Sequence, residues 1–174
     1  MRYNHFEKRH KILFPGYRQT CIFAACSDGW TEFSSSCFKL GEDKKTWADA
    51  EKKCVEEGGH LASVESNEEN WSIQGLLNHI QDPVWLGGSD AAAEGTWVFT
   101  DGTALTHTAG WSDGQPDDWA ASQNCLATNL KGPDWDDAGC GENYNFMCEK
   151  KKGDGECTLI LWIQYNFLAR ATSL

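Results

Sequence analysis

The sequence predicts one α+β domain that is held together by disulfide bonds. Two segments have the apolar periodicity of amphipathic helices, several short runs alternate as strands do, and eight cysteines are spread over loop-rich sequence. At 174 residues the chain is long enough for one well-buried domain with extensions and too short for two. No CxxC pair occurs, so the cysteines favour a disulfide framework in an oxidising compartment over a zinc site.

The charge of the chain disfavours two classes of partner. A net charge of −11 provides no cationic face for nucleic acid and none for docking on anionic membranes. The apolar run at residues 159–163 is far shorter than the roughly 20 residues that span a bilayer, so no membrane insertion is expected. The sequon at Asn70, Trp71 and Ser72 fits a secretory route, and we expect a secreted protein.

Two helices are predicted in the first half of the chain. Thr46 is suited to cap the first helix, and Gly58 and Gly59 end it. The apolar face of this helix is predicted to contain Trp47, Ala50, Cys54 and Val55. The second helix is predicted over residues 68–79. Its apolar positions are Trp71, Leu76, Leu77 and Ile80.

Short strands and one long loop complete the predicted domain. A hairpin is predicted around the Ser-rich turn between Phe33 and Cys37, and a buried strand over residues 84–88. Residues 96–99 alternate between apolar and polar, and two closing strands are predicted at 126–129 and 145–148. Residues 104–124 form a loop of some twenty residues, a length that is uncommon unless the loop has a function or is disordered.

This loop presents oxygen ligands in a distinctive arrangement. Gln115 and Asp117 flank Pro116, and a second pair of carboxylates follows at Asp136 and Asp137. A hard cation such as Ca²⁺ takes six to eight oxygen ligands from carboxylates, amides and backbone carbonyls. Asp-rich loops are often merely hydrated, but a proline between two oxygen donors and a second Asp pair favour a metal site.

Trp119 lies close to these oxygens in sequence. Its indole offers a flat apolar face against which one side of a sugar ring can stack. The alternative is a tryptophan that packs against its own loop.

A series of motifs extends from Cys26 to about Lys150. They are Cys26, Trp30, Cys37, Cys54, Leu61-Ala62-Ser63-Val64, Trp85-Leu86-Gly87-Gly88, Gln115-Pro116-Asp117, Cys125, Trp135-Asp136-Asp137, Cys140 and Phe146-Met147-Cys148-Glu149. In order and spacing this series resembles the C-type lectin-like domain family. The resemblance implies the C-type lectin-like fold over residues 26–150: two helices, short antiparallel sheets and a long Ca²⁺-binding loop.

The resemblance also implies a disulfide pattern. The implied pairs are Cys26–Cys37, Cys54–Cys148 and Cys125–Cys140. Cys21 and Cys157 lie outside this framework, and they could pair with each other, link two chains or remain free. Residues 1–25, which contain no recognisable signal peptide, and residues 151–174 look unlike the middle of the chain. We interpret them as a truncated start and a read-through tail outside the domain.

In the family, a primary Ca²⁺ site also binds the sugar, through hydroxyls that join the coordination of the metal. Carried over, its ligands are Gln115, Asp117, Gln123, Asp136 and Asp137. The resemblance further implies a cis peptide bond before Pro116. A second, auxiliary cation site would use Asp90, Glu94, Asp118 and Asn124. The alternative for this second group is a set of ordinary surface acids.

The order Gln-Pro-Asp implies, by resemblance, a preference for galactose or N-acetylgalactosamine, with the sugar stacked on Trp119. The sugar contacts would then be Gln115, Asp117, Trp119 and Asp136. Two positions depart from the family pattern: Gln123 replaces the usual Glu, and Asp136 replaces the usual Asn. We therefore expect weak Ca²⁺ binding and blurred sugar selectivity.

Two other readings compete with a lectin. Catalysis is not expected, because the histidines lack metal-ligand spacing and no nucleophile motif is present. The serious rival is a C-type lectin-like protein that binds a protein ligand or ice, with weak or no Ca²⁺. Single sugar sites bind weakly, so useful avidity would need clustering, for which Cys21 or Cys157 could supply a link between chains.

Overall fold

The computed structural model describes residues 25–152 and two further strands, at residues 17–22 and 156–161. In chain order the elements are β1 (Tyr17–Ile22), β2 (Thr31–Phe33), β3 (Ser36–Lys45), α1 (Trp47–Glu56), β4 (His60–Leu61), α2 (Asn67–Leu76), β5 (Val84–Ser89), β6 (Val98–Phe99), a 3₁₀ turn (Trp119–Ala121), β7 (Cys125–Thr128), β8 (Trp135–Ala138), β9 (Tyr144–Lys151) and β10 (Glu156–Leu161). The predicted combination of two helices with short strands is confirmed. None of the helices in the described part of the chain is long and apolar enough to cross a membrane.

The chain divides into two compact units. One contains residues 25–152, and the other is formed by residues 1–24 together with 153–174. In the second unit β1 pairs antiparallel with β10, and the register places Cys21 opposite Cys157. The sequence did not predict this strand pair, and the rest of the two terminal extensions lies outside the described residues.

Residues 25–152 are built around one mixed sheet in the order β2-β3-β9-β5-β7-β8. β4 pairs with β9, and β6 pairs with β5. β5 and β9 run parallel, whereas the other strand pairs of this unit are antiparallel. The resemblance implies short antiparallel sheets, and the structure adds this one parallel pair to them. The sheet places β8 next to β7 and far from the hairpin of β2 and β3.

The first helix follows the prediction except on one face. The Thr46 hydroxyl oxygen accepts a hydrogen bond from the Asp49 N–H at 3.3 Å and caps the helix. Ala50 and Cys54 are fully buried, but Val55 is 51% exposed. Each helical residue advances about 100°, so Val55 lies well away from the centre of the face that Cys54 occupies. Its assignment to the apolar face is wrong.

The second helix begins one residue earlier and ends three residues earlier than predicted. Trp71 was assigned to its apolar face, yet the side chain is 65% exposed. The helix instead buries Ile73 and the polar Asn70, which is only 8% exposed. Hydrophobic periodicity could not find this face, because a buried amide interrupts the apolar pattern.

Asn70 can be buried because its side chain forms a hydrogen bond with a core residue. Its Oδ1 accepts a hydrogen bond from the indole N–H of Trp135 at 3.0 Å. Trp135 is fully buried and opens β8, where the rings of His107 and Trp111 approach it edge-on at 5.7 and 5.9 Å. The sequon therefore does not present its asparagine at the surface of the folded domain, and it carries no argument for a glycan there.

Three disulfides connect these elements within residues 25–152, and they are the implied ones: Cys26–Cys37, Cys54–Cys148 and Cys125–Cys140. The bond from Cys54 to Cys148 joins α1 to β9 and closes a separation of 94 residues. In chain-entropy models a loop of this length contributes roughly 4–5 kcal/mol by restricting the unfolded chain. The bond from Cys125 to Cys140 joins β7 to the segment that follows β8.

Asn70→Ala is expected to lower the free energy of unfolding by about 1–3 kcal/mol, because the buried indole N–H of Trp135 loses its acceptor. Chemical denaturation monitored by tryptophan fluorescence measures the change. Asn78→Ala, at an exposed position just beyond α2, is the matched control and should alter stability by less than about 0.5 kcal/mol. Equal effects of the two substitutions would show that the bond to Trp135 contributes little.

Candidate metal and ligand site

The long loop and β8 meet at the carboxylate of Asp137. The N–H of Asp117 donates to Asp137 Oδ1 at 3.1 Å, and the N–H of Asp118 donates to Oδ2 at 2.7 Å. The peptide bond between Gln115 and Pro116 is cis, as expected. The structure thus brings the two parts of the predicted primary ligand set together from positions about twenty residues apart.

Asp136 and Asp137 lie on a strand and are buried, which the sequence did not indicate. They form the middle of β8, where Asp136 is 2% exposed and Asp137 is fully buried. Two adjacent carboxylates are unusual in a strand interior, since charged groups are rarely buried without partners. Burial raises the pKa of Asp137, and the N–H groups of Asp118 and Asp117 oppose that rise.

Gln123 acts as a clamp inside the loop. Its Oε1 accepts a hydrogen bond from the Trp119 N–H at 2.8 Å, and its Nε2 donates to the Asp137 carbonyl oxygen at 2.8 Å. Its own N–H donates to Asp118 Oδ1 at 3.1 Å. The amide is therefore engaged at both ends, and one lone pair of its oxygen is left for a metal ion.

In the part of the chain that the structure describes, five buried side-chain oxygens accept no hydrogen bond, and three of them belong to the predicted cation sites. These three are Gln115 Oε1, Asp136 Oδ2 and Asp90 Oδ1, whereas the other two, on Thr100 and Asn145, lie outside the predicted sets. An orphaned buried acceptor costs about 1–3 kcal/mol and calls for an explanation such as a bound ion. Two of these oxygens belong to the predicted primary set and one to the auxiliary set.

A lysine reaches the primary set from the turn between β7 and β8. Lys131 Nζ lies 3.0 Å from Asp136 Oδ2, as an ion pair without the alignment of a hydrogen bond. The Asp136 carboxylate, with a smaller contribution from Asp117 and Asp137, raises the pKa of Lys131. This contact was not predicted from the sequence, because a lysine in a tight turn is ordinarily solvated.

The predicted auxiliary residues also lie near one another. Asp90 is 1% exposed; its Oδ2 accepts from the Gly95 N–H at 2.9 Å, and its own N–H donates to the Asn124 carbonyl oxygen at 3.3 Å. Desolvation, followed by repulsion from nearby carboxylates, raises the pKa of Glu94. Those carboxylates are Asp90, Asp118 and Asp137.

The donor set is chemically suited to a hard cation but is not a closed cage of carboxylates. Within the described residues no group of three or more His, Cys, Asp or Glu side chains is placed to hold a metal ion. The primary set instead mixes the amide of Gln115 with carboxylates, and Ca²⁺ accepts both kinds of oxygen. The unpartnered oxygen of Gln115 and the Asp136 carboxylate, which pairs with Lys131, fit such an ion.

Trp119 projects from this site into solvent. It begins the 3₁₀ turn and is 72% exposed, the largest exposure among the bulky apolar side chains of residues 25–152. The alternative that its ring packs against its own loop is therefore wrong. Its N–H is held by Gln123 Oε1, so the backbone is anchored while the indole remains available to a ligand.

Comparison with known proteins identifies relatives of this arrangement. Residues 43–150 match the model of the Lectin C-type domain. The chain is 36% identical over 130 residues to the galactose-specific lectin nattectin of Thalassophryne nattereri, covering 73% of this chain and 81% of that protein. It is 35% identical over 123 residues to the type-2 ice-structuring protein of Hemitripterus americanus, covering 71% and 73%.

A solved structure shows the same fold. The crystal structure of a calcium-independent type II antifreeze protein matches with a TM-score of 0.67 and 34% identity, covering 74% of this chain and 95% of that one. Together with the family match, this confirms the fold that the sequence predicted.

Gln123→Ala is expected to destabilise the metal-free protein by about 1–2 kcal/mol, because two hydrogen bonds of the clamp are lost. Thermal unfolding in EDTA measures the change. Ser122→Ala, whose exposed hydroxyl donates to the Trp119 carbonyl oxygen at 3.2 Å, is the matched control and should have a smaller effect. An unfolding temperature that Gln123→Ala leaves unchanged would contradict the clamp.

Proposed function

The chain belongs to the C-type lectin domain family, and from this premise we propose that it is a Ca²⁺-dependent carbohydrate-binding protein with a preference for galactose or N-acetylgalactosamine. The observation that carries the proposal is the buried Gln115 Oε1, which accepts no hydrogen bond, together with the buried Asp136 Oδ2, whose one charged partner is the Lys131 ammonium at 3.0 Å. A shielded oxygen that accepts no hydrogen bond from the protein can bind a cation instead.

The primary site would be held by Gln115, Asp117, Asp136 and Asp137, and Gln123 could join through the second lone pair of its amide oxygen. When bound, Ca²⁺ supplies a coordination point for two vicinal sugar hydroxyls. The side chains provide the rest of the recognition. Each ligand carboxylate has a second oxygen that can accept a hydrogen bond from a sugar O–H, and the Gln115 amide can donate one back.

Trp119 supports the choice of galactose. The axial 4-hydroxyl of galactose leaves one contiguous C–H face, and an exposed indole beside the cation ligands suits that face. The similarity to a galactose-specific lectin points the same way. Asp136 weakens selectivity, because a carboxylate cannot donate the hydrogen bond that an asparagine amide would give to the sugar.

The auxiliary group is proposed as a second cation site. Asp90, Glu94, Asp118 and Asn124 are close in space, and Asp90 Oδ1 is buried without a partner. A cation there would relieve the repulsion between Glu94 and its acidic neighbours. It would also stiffen the loop through Asp118, whose carboxylate already accepts from the Gln123 N–H.

A second candidate function is recognition of a protein ligand or ice with little or no Ca²⁺. Two contacts favour it: Gln123 satisfies its amide internally, and Lys131 already neutralises Asp136. The similarity to an ice-structuring protein and to a calcium-independent antifreeze protein is consistent with it. We do not propose a catalytic activity for this protein. The three disulfides of residues 25–152 support secretion into an oxidising environment.

The protein is expected to bind immobilised galactose in millimolar Ca²⁺ and to elute with EDTA or free galactose but not with mannose. Trp119→Ala should weaken galactose binding roughly twofold to twelvefold, since aromatic stacking contributes about 0.5–1.5 kcal/mol. Trp71→Ala is the matched control, because Trp71 is the other highly exposed tryptophan of residues 25–152 at 65%. Equal retention of both variants would remove the stacking surface from the proposal.

Ca²⁺ is expected to bind with a dissociation constant of about 10⁻⁴–10⁻³ M, the range of extracellular modules. Asp117→Ala should abolish both the heat of Ca²⁺ binding and retention on galactose, since it removes one carboxylate of the primary set. Asp113→Ala removes an exposed acid from the same loop and should change neither. Calorimetry of the wild-type protein that detects no Ca²⁺ heat at several millimolar would contradict the proposed cation dependence.

A further inference from the structure

We propose that Lys131 is a tethered competitor for Ca²⁺: its ammonium group pairs with Asp136 and must leave before a metal ion can use that carboxylate. This inference rests on the proposed function of the same site and specifies how access to it is regulated. Lys131 thus controls the access of the ion to Asp136 and is not itself a ligand.

The geometry places the lysine at the predicted primary set. Lys131 Nζ lies 3.0 Å from Asp136 Oδ2, and Asp136 is only 2% exposed. The ammonium therefore approaches a carboxylate that water hardly reaches. The Asp136 carboxylate, with smaller contributions from Asp117 and Asp137, raises the pKa of Lys131.

The position of Lys131 in the chain allows its side chain to pair with Asp136 and to separate from it. It lies in the turn that connects β7 to β8, and β8 carries Asp136 only five residues further on. Its side chain is 72% exposed, whereas that of Asp136 is 3% exposed. The Asp136 carboxylate is thus fixed by the strand. The Lys131 ammonium lies at the end of a flexible side chain and can be hydrated when it leaves the carboxylate.

The ion pair between Lys131 and Asp136 compensates the negative charge of the site less completely than a bound divalent ion would. Asp136 Oδ2 lies within ion-pair distance of Lys131 but receives no aligned hydrogen bond. One ammonium changes the formal charge of the three primary carboxylates from −3 to −2, which lowers the attraction for a divalent ion without removing it. The lysine therefore reduces Ca²⁺ affinity by competition rather than by blocking the site.

The size of the effect follows from the fraction of molecules in which the pair is open. The apparent dissociation constant equals the intrinsic one divided by the open fraction. Exposed ion pairs are modest, and a pair with one buried member is somewhat stronger. An open fraction of about one third to one tenth corresponds to an apparent Ca²⁺ affinity that is roughly threefold to tenfold weaker than that of the unpaired site.

The experiment compares Ca²⁺ binding by wild-type protein, Lys131→Met and Lys52→Met, with CaCl₂ titrated in a calorimeter. Lys131→Met keeps an unbranched stem and removes the charge, so it should tighten Ca²⁺ binding roughly threefold to tenfold. Lys52→Met removes the same charge from an exposed position on α1 and should leave the affinity within twofold of wild type. Lys131→Gln should behave as Lys131→Met does, and Lys131→Arg as wild type.

Thermal unfolding supplies a readout that does not involve bound sugar. In EDTA, Lys131→Met should unfold at a lower temperature than wild type, because Asp136 keeps a buried negative charge without its partner. Saturating CaCl₂ should remove most of that difference, since the metal ion then neutralises Asp136. Lys52→Met should show neither change.

The outcomes separate this inference from the proposed function. If wild type binds Ca²⁺ and Lys131→Met binds it equally well, the competition is refuted and the Ca²⁺-dependent site stands. If only Lys131→Met binds Ca²⁺, the competition is supported and the wild-type protein is not Ca²⁺-dependent. If neither binds, both proposals fail.

Discussion

Two consecutive backbone N–H groups, those of Asp117 and Asp118, converge on the carboxylate of Asp137, and the rest of the site depends on this contact. It fastens a long loop of low periodicity to a strand in the sheet. The strand is itself held by the bond from Trp135 to Asn70 and by the disulfide that joins Cys125 to Cys140. The carboxylate that anchors the loop is thus positioned by the core.

The site that results is pre-organised on one side and adjustable on the other. β8 fixes Asp136 and Asp137, whereas Gln123 and Lys131 make contacts that a bound cation would compete with. Under the proposed function, the same residues would form both the metal-bound and the metal-free state. The chain is similar both to a galactose-specific lectin and to an ice-structuring protein.

Features that depend on a few adjacent residues were predicted from the sequence. Features that depend on a partner distant in the chain were not. The cap at Thr46, the hairpin and the buried strand β5 each follow from a few adjacent residues, and they were found. The orientation of Asn70 and Trp71 on α2 was predicted wrongly, because apolar periodicity does not reveal that the Asn70 amide accepts a hydrogen bond from an indole in the core. β8 was missed because carboxylates seldom lie inside a strand, and Lys131 was missed because its partner is set by turn geometry.

A cation-mediated sugar contact at this loop can be tested by an NMR titration of ¹⁵N-labelled protein with galactose, in Ca²⁺ and again in EDTA. In Ca²⁺ the indole N–H resonance of Trp119 and the backbone N–H resonances of Asp117 and Asp118 are expected to shift together. In EDTA, and with mannose, these resonances should stay in place. Galactose shifts that persist in EDTA, or that map to another surface, would contradict a cation-mediated sugar contact at this loop.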